Sequence, residues 1–364
     1  MMSTMADKPH IWLRAETKHM ERRVALTPNF AKQLVDAGYK VTIEDSCQSA
    51  IPISAYHGIG CDIKPAHSWR EADKDVIVFG LKELDNESWP LVHRHIHFAH
   101  VYKEQEGWQS VLGRFVIGKG QLFDLEYLVH ENGRRVAAFG FWAGFVGAAV
   151  ALKAWSRKEQ GLDPILPELG AFNSKQDMID DVLASLPQSS NGDKRPKLMV
   201  MGAKGRSGQG AVEMAKSVGA ELVEWDMEET KGGGPFREIL DADIYVNCVF
   251  VQAALPPFLT KKMLDDSNRR LSVICDVSCD PFSNFNPLPI YDQTTDFANP
   301  TLRLVDGENP LDIIAIDHLP SMLPIESSED FCEQLLPYLL QLDNLNEGVW
   351  KRANELFMKK LGEI

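Results

Sequence analysis

The fold is decided by the stretch Leu198-Met-Val-Met-Gly-Ala-Lys-Gly-Arg-Ser-Gly-Gln-Gly210, a short apolar strand that runs into a glycine-rich turn. The glycines follow a G-x-x-G-x-x-G spacing at Gly202, Gly205 and Gly208. Glycines at this spacing permit a tight turn and let backbone N–H groups touch a pyrophosphate at the start of the next helix. The stretch therefore predicts a strand–turn–helix unit that binds a dinucleotide.

An acidic residue after the next strand supports this interpretation. Residues 210–217 predict a helix, residues 221–225 predict a strand, and Asp226 follows that strand directly. A carboxylate at this place accepts hydrogen bonds from the ribose hydroxyls of adenosine and repels a 2′-phosphate, which favours NAD over NADP. Arg206 and Lys231 leave an alternative open, because either could pair with a 2′-phosphate or simply be solvated.

The rest of the pattern predicts an α/β fold with parallel sheets. Short apolar runs alternate with helical patterns on both sides of the glycine turn. Residues 156–197 are polar and rich in proline and glycine, which predicts a loop-rich connection with a short helix inside it. The other predicted strands are 10–13, 40–44, 75–79, 96–101, 244–249 and 271–277, and the other predicted helices begin at Pro28 and Thr260 and span 327–342 and 347–360.

Length and charge limit the classes of function. The chain has 364 residues, enough for about two domains of ~150 residues. A net charge of −14 argues against nucleic acid and anionic membranes as partners, so we expect small-molecule substrates. The 6 cysteines form no C-x-x-C pair, and the chain begins without a signal-peptide pattern, which is typical of a cytoplasmic protein with reduced thiols. The oligomeric state stays open, and a monomer is compatible with the sequence.

The segment 136–152 lacks charged side chains and is rich in glycine, alanine and phenylalanine. Gly140 and Gly144 have the spacing seen in packed membrane helices, but the segment is only at the lower limit of a spanning helix. We interpret it as a buried helix between the domains, whose small residues let another backbone approach closely.

Cationic and histidine side chains cluster in the first part of the chain. The loop 14–28 concentrates basic residues, which suits a ligand rich in carboxylates, although a solvated loop is the alternative. Lys82 follows the predicted strand 75–79 directly, and catalytic groups often lie at such carboxyl ends. Strand alternation places His95 and His97 on one face and His100 on the other. A zinc site needs about four converging ligands, which no spacing here supports, so we predict no metal and expect surface or capped histidines.

Seven motifs together resemble those of the lysine-forming saccharopine dehydrogenases, a family within the alanine dehydrogenase and transhydrogenase superfamily. The resemblance covers nearly the whole chain and is weakest over residues 156–197. The motifs are Leu13-Arg-Ala-Glu-Thr-Lys18, Arg23-Val-Ala-Leu-Thr-Pro28, Gly80-Leu-Lys-Glu83, Phe98-Ala-His100, Gly133-Arg-Arg-Val-Ala-Ala-Phe-Gly140, Asp276-Val-Ser278 and Ile316-Asp-His-Leu-Pro320.

The resemblance implies two Rossmann-like domains around a central cleft. The substrate domain would comprise residues 1–135 and 321–364, and the NAD-binding domain residues 136–320. The implied reaction is the reversible oxidation of saccharopine by NAD⁺ and water to L-lysine, 2-oxoglutarate and NADH, a step of lysine and hence amino-acid biosynthesis.

The resemblance also implies roles for single residues. Lys82 would take the proton of the substrate amine, and His100 would be the acid–base group for imine hydrolysis, while Glu83 and Glu126 would tune the site. The implied substrate contacts are Lys18, Arg23, Gln105, Arg135 and Phe139. The implied cofactor contacts are Arg134, Gly205, Arg206, Asp226, Thr230, Phe250, Val277, Ile316, Asp317, His318 and Leu319. Phe250 and Ser207 depart from relatives that carry Tyr and Cys there, so we expect no hydroxyl bond at 250 and no cysteine pair with Cys248.

These residue types fit the chemistry. Saccharopine carries three carboxylates, which explains a local cationic pocket in an acidic protein. A lysine acts as a base when burial or nearby cations lower its pKa toward neutral, and a histidine suits proton shuttling near neutral pH. Two other functions remain open: an alanine dehydrogenase-like enzyme, and a non-catalytic protein that binds NAD or lysine.

Overall fold

The computed structural model describes residues 8–102, 107–162, 165–189, 192–251 and 253–364. The chain divides into two compact units. The first unit comprises Met1–Ala138 and Pro324–Ile364, and the second comprises Phe139–Leu323. Each unit is a six-stranded sheet with helices, so the predicted α/β fold class is confirmed.

The first unit is built on a parallel sheet with the strand order β3-β2-β1-β4-β5-β6. Helices α2 and α9 pack on one another through Phe115 and Phe357, whose ring centroids lie 5.6 Å apart. The strands are β1 (His10–Leu13), β2 (Lys40–Asp45), β3 (Asp62–Pro65), β4 (Ile77–Phe79), β5 (Arg94–His97) and β6 (Gln121–Asp124), and the helices are α1 (Pro28–Asp36), α2 (Trp108–Gly118), α8 (Pro324–Leu339) and α9 (Gly348–Leu361).

The main sheet of the second unit has the strand order β10-β9-β11-β12-β14-β13, parallel except for β13. Strands β7 and β8 form a separate two-stranded antiparallel sheet. The strand order reverses at β9, and ligands of such sheets bind outside the carboxyl ends of the strands at this point. The strands are β7 (Gln188–Ser189), β8 (Gly192–Asp193), β9 (Lys197–Met201), β10 (Glu221–Trp225), β11 (Ile244–Asn247), β12 (Val273–Asp276), β13 (Leu302–Val305) and β14 (Leu311–Ile314), and the helices are α3 (Gly140–Glu159), α4 (Lys175–Ser185), α5 (Arg206–Ser217), α6 (Met227–Thr230) and α7 (Lys261–Leu264).

Helix α3 contains most of the apolar segment and packs closely on α5. A Cβ on Gly144 would lie 1.7 Å from the carbonyl oxygen of Ser207, and one on Gly210 would lie 1.9 Å from that of Phe141. The predicted close approach of another backbone is therefore confirmed. The helix starts later than predicted because Val136 N donates to Leu128 O, which holds that part of the chain in the first unit.

Within the described ranges, no helix combines the length and the apolar character needed to cross a membrane.

The strand predicted at 96–101 has the wrong bounds, because β5 spans Arg94–His97. The predicted strands 75–79, 244–249 and 271–277 are shorter in the structure, at Ile77–Phe79, Ile244–Asn247 and Val273–Asp276. The ladder between β4 and β5 begins at the pair Ile77 and Arg94. Beyond the strand, His100 has a φ of +54°, in the left-handed region, which turns the chain away from the sheet.

Candidate active site

Three neighbouring strands of the first unit end at one edge of its sheet and carry ionisable side chains there. Lys82 follows β4, His100 follows β5 and Glu126 follows β6. The ends of β4 and β5 are tied together, because Phe98 N donates to Leu81 O at 2.8 Å. Lys82 is buried, at 8% exposure. The structure thus gathers both predicted catalytic residues at one edge of one sheet.

A lysine–glutamate pair lies next to Lys82. Lys18 Nζ is 2.9 Å from Glu83 Oε1. Burial alone would raise the pKa of Glu83, but the hydrogen bond from Lys18 and the charges of Lys18 and Lys82 outweigh it and lower that pKa. Glu83 is therefore an ionised carboxylate between two lysines, which places its negative charge beside Lys82.

Arg23 is paired with a neighbour that the sequence interpretation overlooked. Its Nε and Nη2 donate to the two carboxylate oxygens of Glu21, at 2.8 and 2.6 Å, and both side chains are buried. Burial would raise the pKa of Glu21, but the charge and hydrogen bonds of Arg23, together with the charge of Lys82, lower it. The sequence shows Glu21 two residues before Arg23, and this proximity was the only hint of the pair. The carboxylate of Glu21 balances the charge of Arg23.

His100 lies beside an acid from the neighbouring strand end. Its Nδ1 is 3.8 Å from Glu126 Oε2. Glu126 is fixed in turn, since its backbone N–H donates to Asp124 Oδ1 at 2.9 Å. The predicted position of His100 on the opposite strand face is wrong, because the residue lies beyond β5.

The other three histidines of the cluster are buried, so the expectation of surface or capped positions is wrong for them. His93, His95 and His97 are 1%, 0% and 2% exposed. The ring centroids of His95 and His97 are 5.8 Å apart, which confirms that the two share a face. Burial holds the pKa of both rings well below the ordinary value, so they are neutral core aromatics. Among the described residues, no three His, Cys, Asp or Glu side chains converge as metal ligands.

The remaining implied substrate contacts are Arg135, Phe139 and Gln105. Arg135 is exposed at the end of the first unit, as is its neighbour Arg134, an implied cofactor contact. Phe139 is the N-cap residue of α3 in the second unit. Gln105 lies outside the described residues.

The glycine turn of the second unit has the geometry of a phosphate cradle. Gly202 has a φ of +83°, and a Cβ on Gly208 would lie 2.0 Å from Gly202 O. Gly205 is the N-cap residue of α5, whose first residue is Arg206. The N–H groups in the first turn of a helix have no partner within the helix, so they are available to an anion.

Asp226 stands beside this turn, as the sequence predicts. Its Oδ1 accepts from Met227 N and its Oδ2 accepts from Lys204 N, both at 2.8 Å. Thr230, another implied cofactor contact, donates from its hydroxyl to Asp226 O at 2.8 Å. A carboxylate has about four acceptor sites, so Asp226 retains capacity for two ribose hydroxyls.

The other implied cofactor contacts follow the remaining parallel strands. Phe250 comes after β11 and is 56% exposed. Val277 comes directly after β12, and His318 stacks edge-on against Phe297 with ring centroids 4.6 Å apart. Ile316, Asp317 and Leu319 belong to the same segment after β14, in which Ile316 and Leu319 are buried and Asp317 is exposed.

The sequence interpretation gave no role to Asp276, a buried carboxyl at this edge of the sheet. Asp276, the last residue of β12, accepts from Asn247 Nδ2 at 2.9 Å and from the Tyr291 hydroxyl at 2.7 Å. Burial raises its pKa, and these two hydrogen bonds oppose the increase. Asp276 therefore ties the ends of β11 and β12 together from inside.

Comparison with known proteins gives the family. The family model described as alanine dehydrogenase/PNT, N-terminal domain, matches residues 12–146, and that of the C-terminal domain matches residues 236–361. A relative from Emericella nidulans is 49% identical over 97% of this chain and 98% of its own. Relatives from Schizosaccharomyces pombe and Candida albicans are 46% and 45% identical over 96% and 97% of this chain, and each alignment covers 97% of the relative. All three are named saccharopine dehydrogenase (NAD(+), L-lysine-forming).

The chain belongs to the lysine-forming saccharopine dehydrogenases. Two solved structures share its fold. An L-alanine dehydrogenase has a TM-score of 0.66 and 16% identity, over 96% of this chain and 94% of its own. A transhydrogenase from Sinorhizobium meliloti has a TM-score of 0.64 and 16% identity, over 93% and 95%.

Ser207 has no thiol and therefore cannot form a disulfide with Cys248 in this lysine-forming saccharopine dehydrogenase. All six cysteines lie in the described part of the chain and are free thiols. Burial raises the pKa of the Cys248 thiol, with a further increase from the charge of Asp276. Cys248 is therefore a protonated thiol at neutral pH.

Proposed function

We propose that this chain catalyses the NAD-dependent oxidative deamination of saccharopine to L-lysine and 2-oxoglutarate. The observation that carries the proposal is the 45–49% identity, over at least 96% of the chain, to relatives named for this activity. The ionisable groups at the carboxyl ends of β4, β5 and β6 support it, since an oxidation followed by hydrolysis needs a base and a proton shuttle.

The cofactor that we propose is NAD, and the residues of the second unit fit it. The glycine turn leaves space that a Cβ would fill, and the start of α5 offers backbone N–H groups for the pyrophosphate. Asp226 would hold the adenosine ribose. Thr230, whose hydroxyl donates to Asp226 O, and Arg206, the first residue of α5, would be further cofactor contacts. When bound, NAD⁺ supplies the acceptor for the hydride that leaves the glutamyl Cα of the substrate.

The first unit would supply the acid–base groups. Lys82 would accept the proton of the secondary amine, so that the nitrogen lone pair can assist hydride loss. Water then adds to the substrate iminium, and His100 would take one proton from that water and pass it to the lysine nitrogen. As the C–N bond breaks, the remaining hydroxyl proton would pass to His100 and the carbonyl of 2-oxoglutarate forms. Glu83 and Glu126 would set the charge around Lys82 and His100, and Arg23, Lys18, Gln105, Arg135 and Phe139 would bind the substrate.

We also propose roles for the two parts of the chain. Residues 1–135 and 321–364 would form the substrate domain, and residues 136–320 the NAD-binding domain. A cytoplasmic location is supported by the free thiols of all six cysteines.

Product analysis tests the proposed reaction. The purified protein is incubated with saccharopine and NAD⁺, and the products are separated by chromatography. L-Lysine, 2-oxoglutarate and NADH should form in equal amounts. Formation of glutamate in place of L-lysine and 2-oxoglutarate would mean that the other C–N bond is cleaved and would contradict the proposal.

Cofactor preference should depend on Asp226. NADH should be a much better substrate than NADPH, and Asp226→Ala should weaken NADH more than NADPH, because it removes the acceptor of the ribose diol and the charge that repels a 2′-phosphate. Glu229→Ala is the control, since Glu229 Oε2 accepts from Asp226 N at 2.7 Å and supports the same turn. Equal efficiency of wild type with both cofactors would exclude Asp226 as the discriminating group.

Substrate binding should depend on Arg135. Arg135→Met should raise the KM for saccharopine about ten- to a hundredfold, the equivalent of ~1.5–3 kcal/mol for a charge-assisted bond, and leave the KM for NADH unchanged. Lys64→Met, which removes another exposed cation of the first unit, is the control. Arg23→Ala is a poorer test, because it would leave the Glu21 charge buried without Arg23 and destabilise the fold. An unchanged KM for saccharopine would place the carboxylate contact elsewhere.

A further inference from the structure

The backbone of Lys82 is held from both sides by two side chains that follow β1. The Glu16 carboxylate accepts hydrogen bonds from Leu81 N at 2.6 Å and from Lys82 N at 2.9 Å. On the other side, the Arg14 guanidinium donates a hydrogen bond to Lys82 O. The N–H and the carbonyl of Lys82 are thus both bonded to charged side chains rather than to a neighbouring strand.

The two side chains also pair with each other. Arg14 Nη1 lies 3.4 Å from Glu16 Oε2, and the side chains are only 2% and 6% exposed. A buried ion pair is weak evidence for stability, because the cost of desolvation offsets the attraction of the charges. The hydrogen bonds of Arg14 and Glu16 to the backbone of Lys82 therefore indicate a role in holding Lys82 rather than in general stability.

Gly80 leaves the space that this arrangement needs. A Cβ on Gly80 would lie 2.6 Å from Arg14 Nε and 2.7 Å from Arg14 Cζ. With glycine at position 80, the guanidinium crosses the end of β4 and reaches Lys82 without meeting a side chain there. The motif Gly80-Leu-Lys-Glu83 thus combines the proposed base with the space for the arginine that holds it.

We propose that Arg14 and Glu16 are positioning residues for Lys82: they fix its backbone so that the amine meets the substrate nitrogen at one place. This inference rests on the proposed role of Lys82 as the base. Lysine has a long, flexible side chain, so a fixed backbone limits the positions that its amine samples. A displacement of about 1 Å at a reacting group can cost about 10²-fold in rate.

Glu16→Gln is the first variant. Its size is nearly unchanged, but the amide NH₂ would face a backbone N–H where a carboxylate oxygen now accepts. We expect kcat to fall about ten- to a hundredfold, while the KM for NAD⁺ stays unchanged because the proposed cofactor residues, apart from Arg134, lie in the second unit.

A double-mutant cycle separates positioning from general stability. If Glu16 acts through Lys82, Glu16→Gln should lower kcat in the wild-type background and have almost no further effect in the Lys82→Met background. An equal loss of kcat in both backgrounds would mean a merely structural role and would overturn the inference. A Lys82→Met variant with wild-type kcat would instead refute the proposed base, which is a different result.

Arg14→Lys keeps the inference testable if Glu16→Gln does not fold. It retains the positive charge but has one nitrogen in place of the guanidinium fork, so it cannot bond Lys82 O and pair with Glu16 in the same way. It should show the same dependence on Lys82. Tyr56→Phe is the matched control for the loss of a buried hydrogen bond in the first unit, since the Tyr56 hydroxyl donates to Leu26 O at 2.7 Å. It should lower the melting temperature without changing kcat in either background.

Discussion

Replacing Lys82 with methionine should lower kcat for saccharopine oxidation by about 10²–10⁴-fold, the usual contribution of a general acid–base group. The KM for NAD⁺ should stay nearly the same. The Lys82 side chain is buried just after β4, beside the ionised Glu83. Methionine has a similar volume, so the substitution removes the amine without leaving a cavity. Lys74→Met, at the opposite end of the same strand and exposed, is the control and should retain wild-type kcat.

The dependence on pH identifies Lys82 as the base more specifically than the rate does. In the wild type, kcat/KM for saccharopine should fall as the pH drops, because a protonated lysine cannot accept the amine proton. This limb should flatten in Lys82→Met. A variant that keeps both the wild-type rate and the wild-type limb would reduce Lys82 to a structural or substrate-binding charge.

Replacing His100 with glutamine should also lower kcat by about 10²–10⁴-fold. The ring lies beyond β5 with Nδ1 3.8 Å from Glu126 Oε2, so the carboxylate can stabilise the protonated ring. His67→Gln is a close control, because His67 is exposed and also has a positive φ, of 66°. An unchanged kcat in His100→Gln would exclude His100 as the proton shuttle.

The two acid–base groups should also depend on each other. The double variant Lys82→Met with His100→Gln should lose less activity than the product of the two single losses, because the groups would serve coupled proton transfers. Fully multiplicative losses would mean that the two residues act in independent steps.

The strand–turn–helix unit around the glycine turn was predictable from the sequence because its determinants are local. The strand Lys197–Met201, the glycine turn and Asp226 are close together along the chain, and each has a steric or electrostatic reason visible in the residue type. The small residues of α3 were equally informative, since a Cβ on Gly144 would lie 1.7 Å from the carbonyl oxygen of Ser207 in α5.

The sequence interpretation placed strand β5 wrongly because the residues of the strand are polar, while the side chains packed around it are apolar. Residues 94–97 read Arg-His-Ile-His, which has no apolar alternation. The structure places His95 in contact with Trp69 and Phe115, with ring centroids 5.2 and 5.5 Å away. A neutral imidazole packs there as an aromatic ring, and its neighbours come from distant parts of the chain that no local pattern reveals.

Glu83 and Glu126 were named from the resemblance, but two other acids beside the basic residues, Glu21 and Glu16, were overlooked. Glu21 lies within the cationic loop, but only the fold shows that it accepts from Nε and Nη2 of Arg23. Glu16 is far from Lys82 in sequence, and the parallel pairing of β1 with β4 brings the two together. The cationic residues were therefore identified from the sequence, while the pairing of Glu21 with Arg23 and of Glu16 with the Lys82 backbone required the structure.

The most direct test of the central claim is the initial rate of NADH oxidation with two substrate pairs. One assay contains 2-oxoglutarate and L-lysine, and the other contains pyruvate and ammonia, each with the same enzyme and NADH concentrations. If the chain is a saccharopine dehydrogenase, NADH is oxidised with 2-oxoglutarate and L-lysine and not with pyruvate and ammonia. Oxidation with pyruvate and ammonia at an equal or higher rate, or with neither pair, would contradict it.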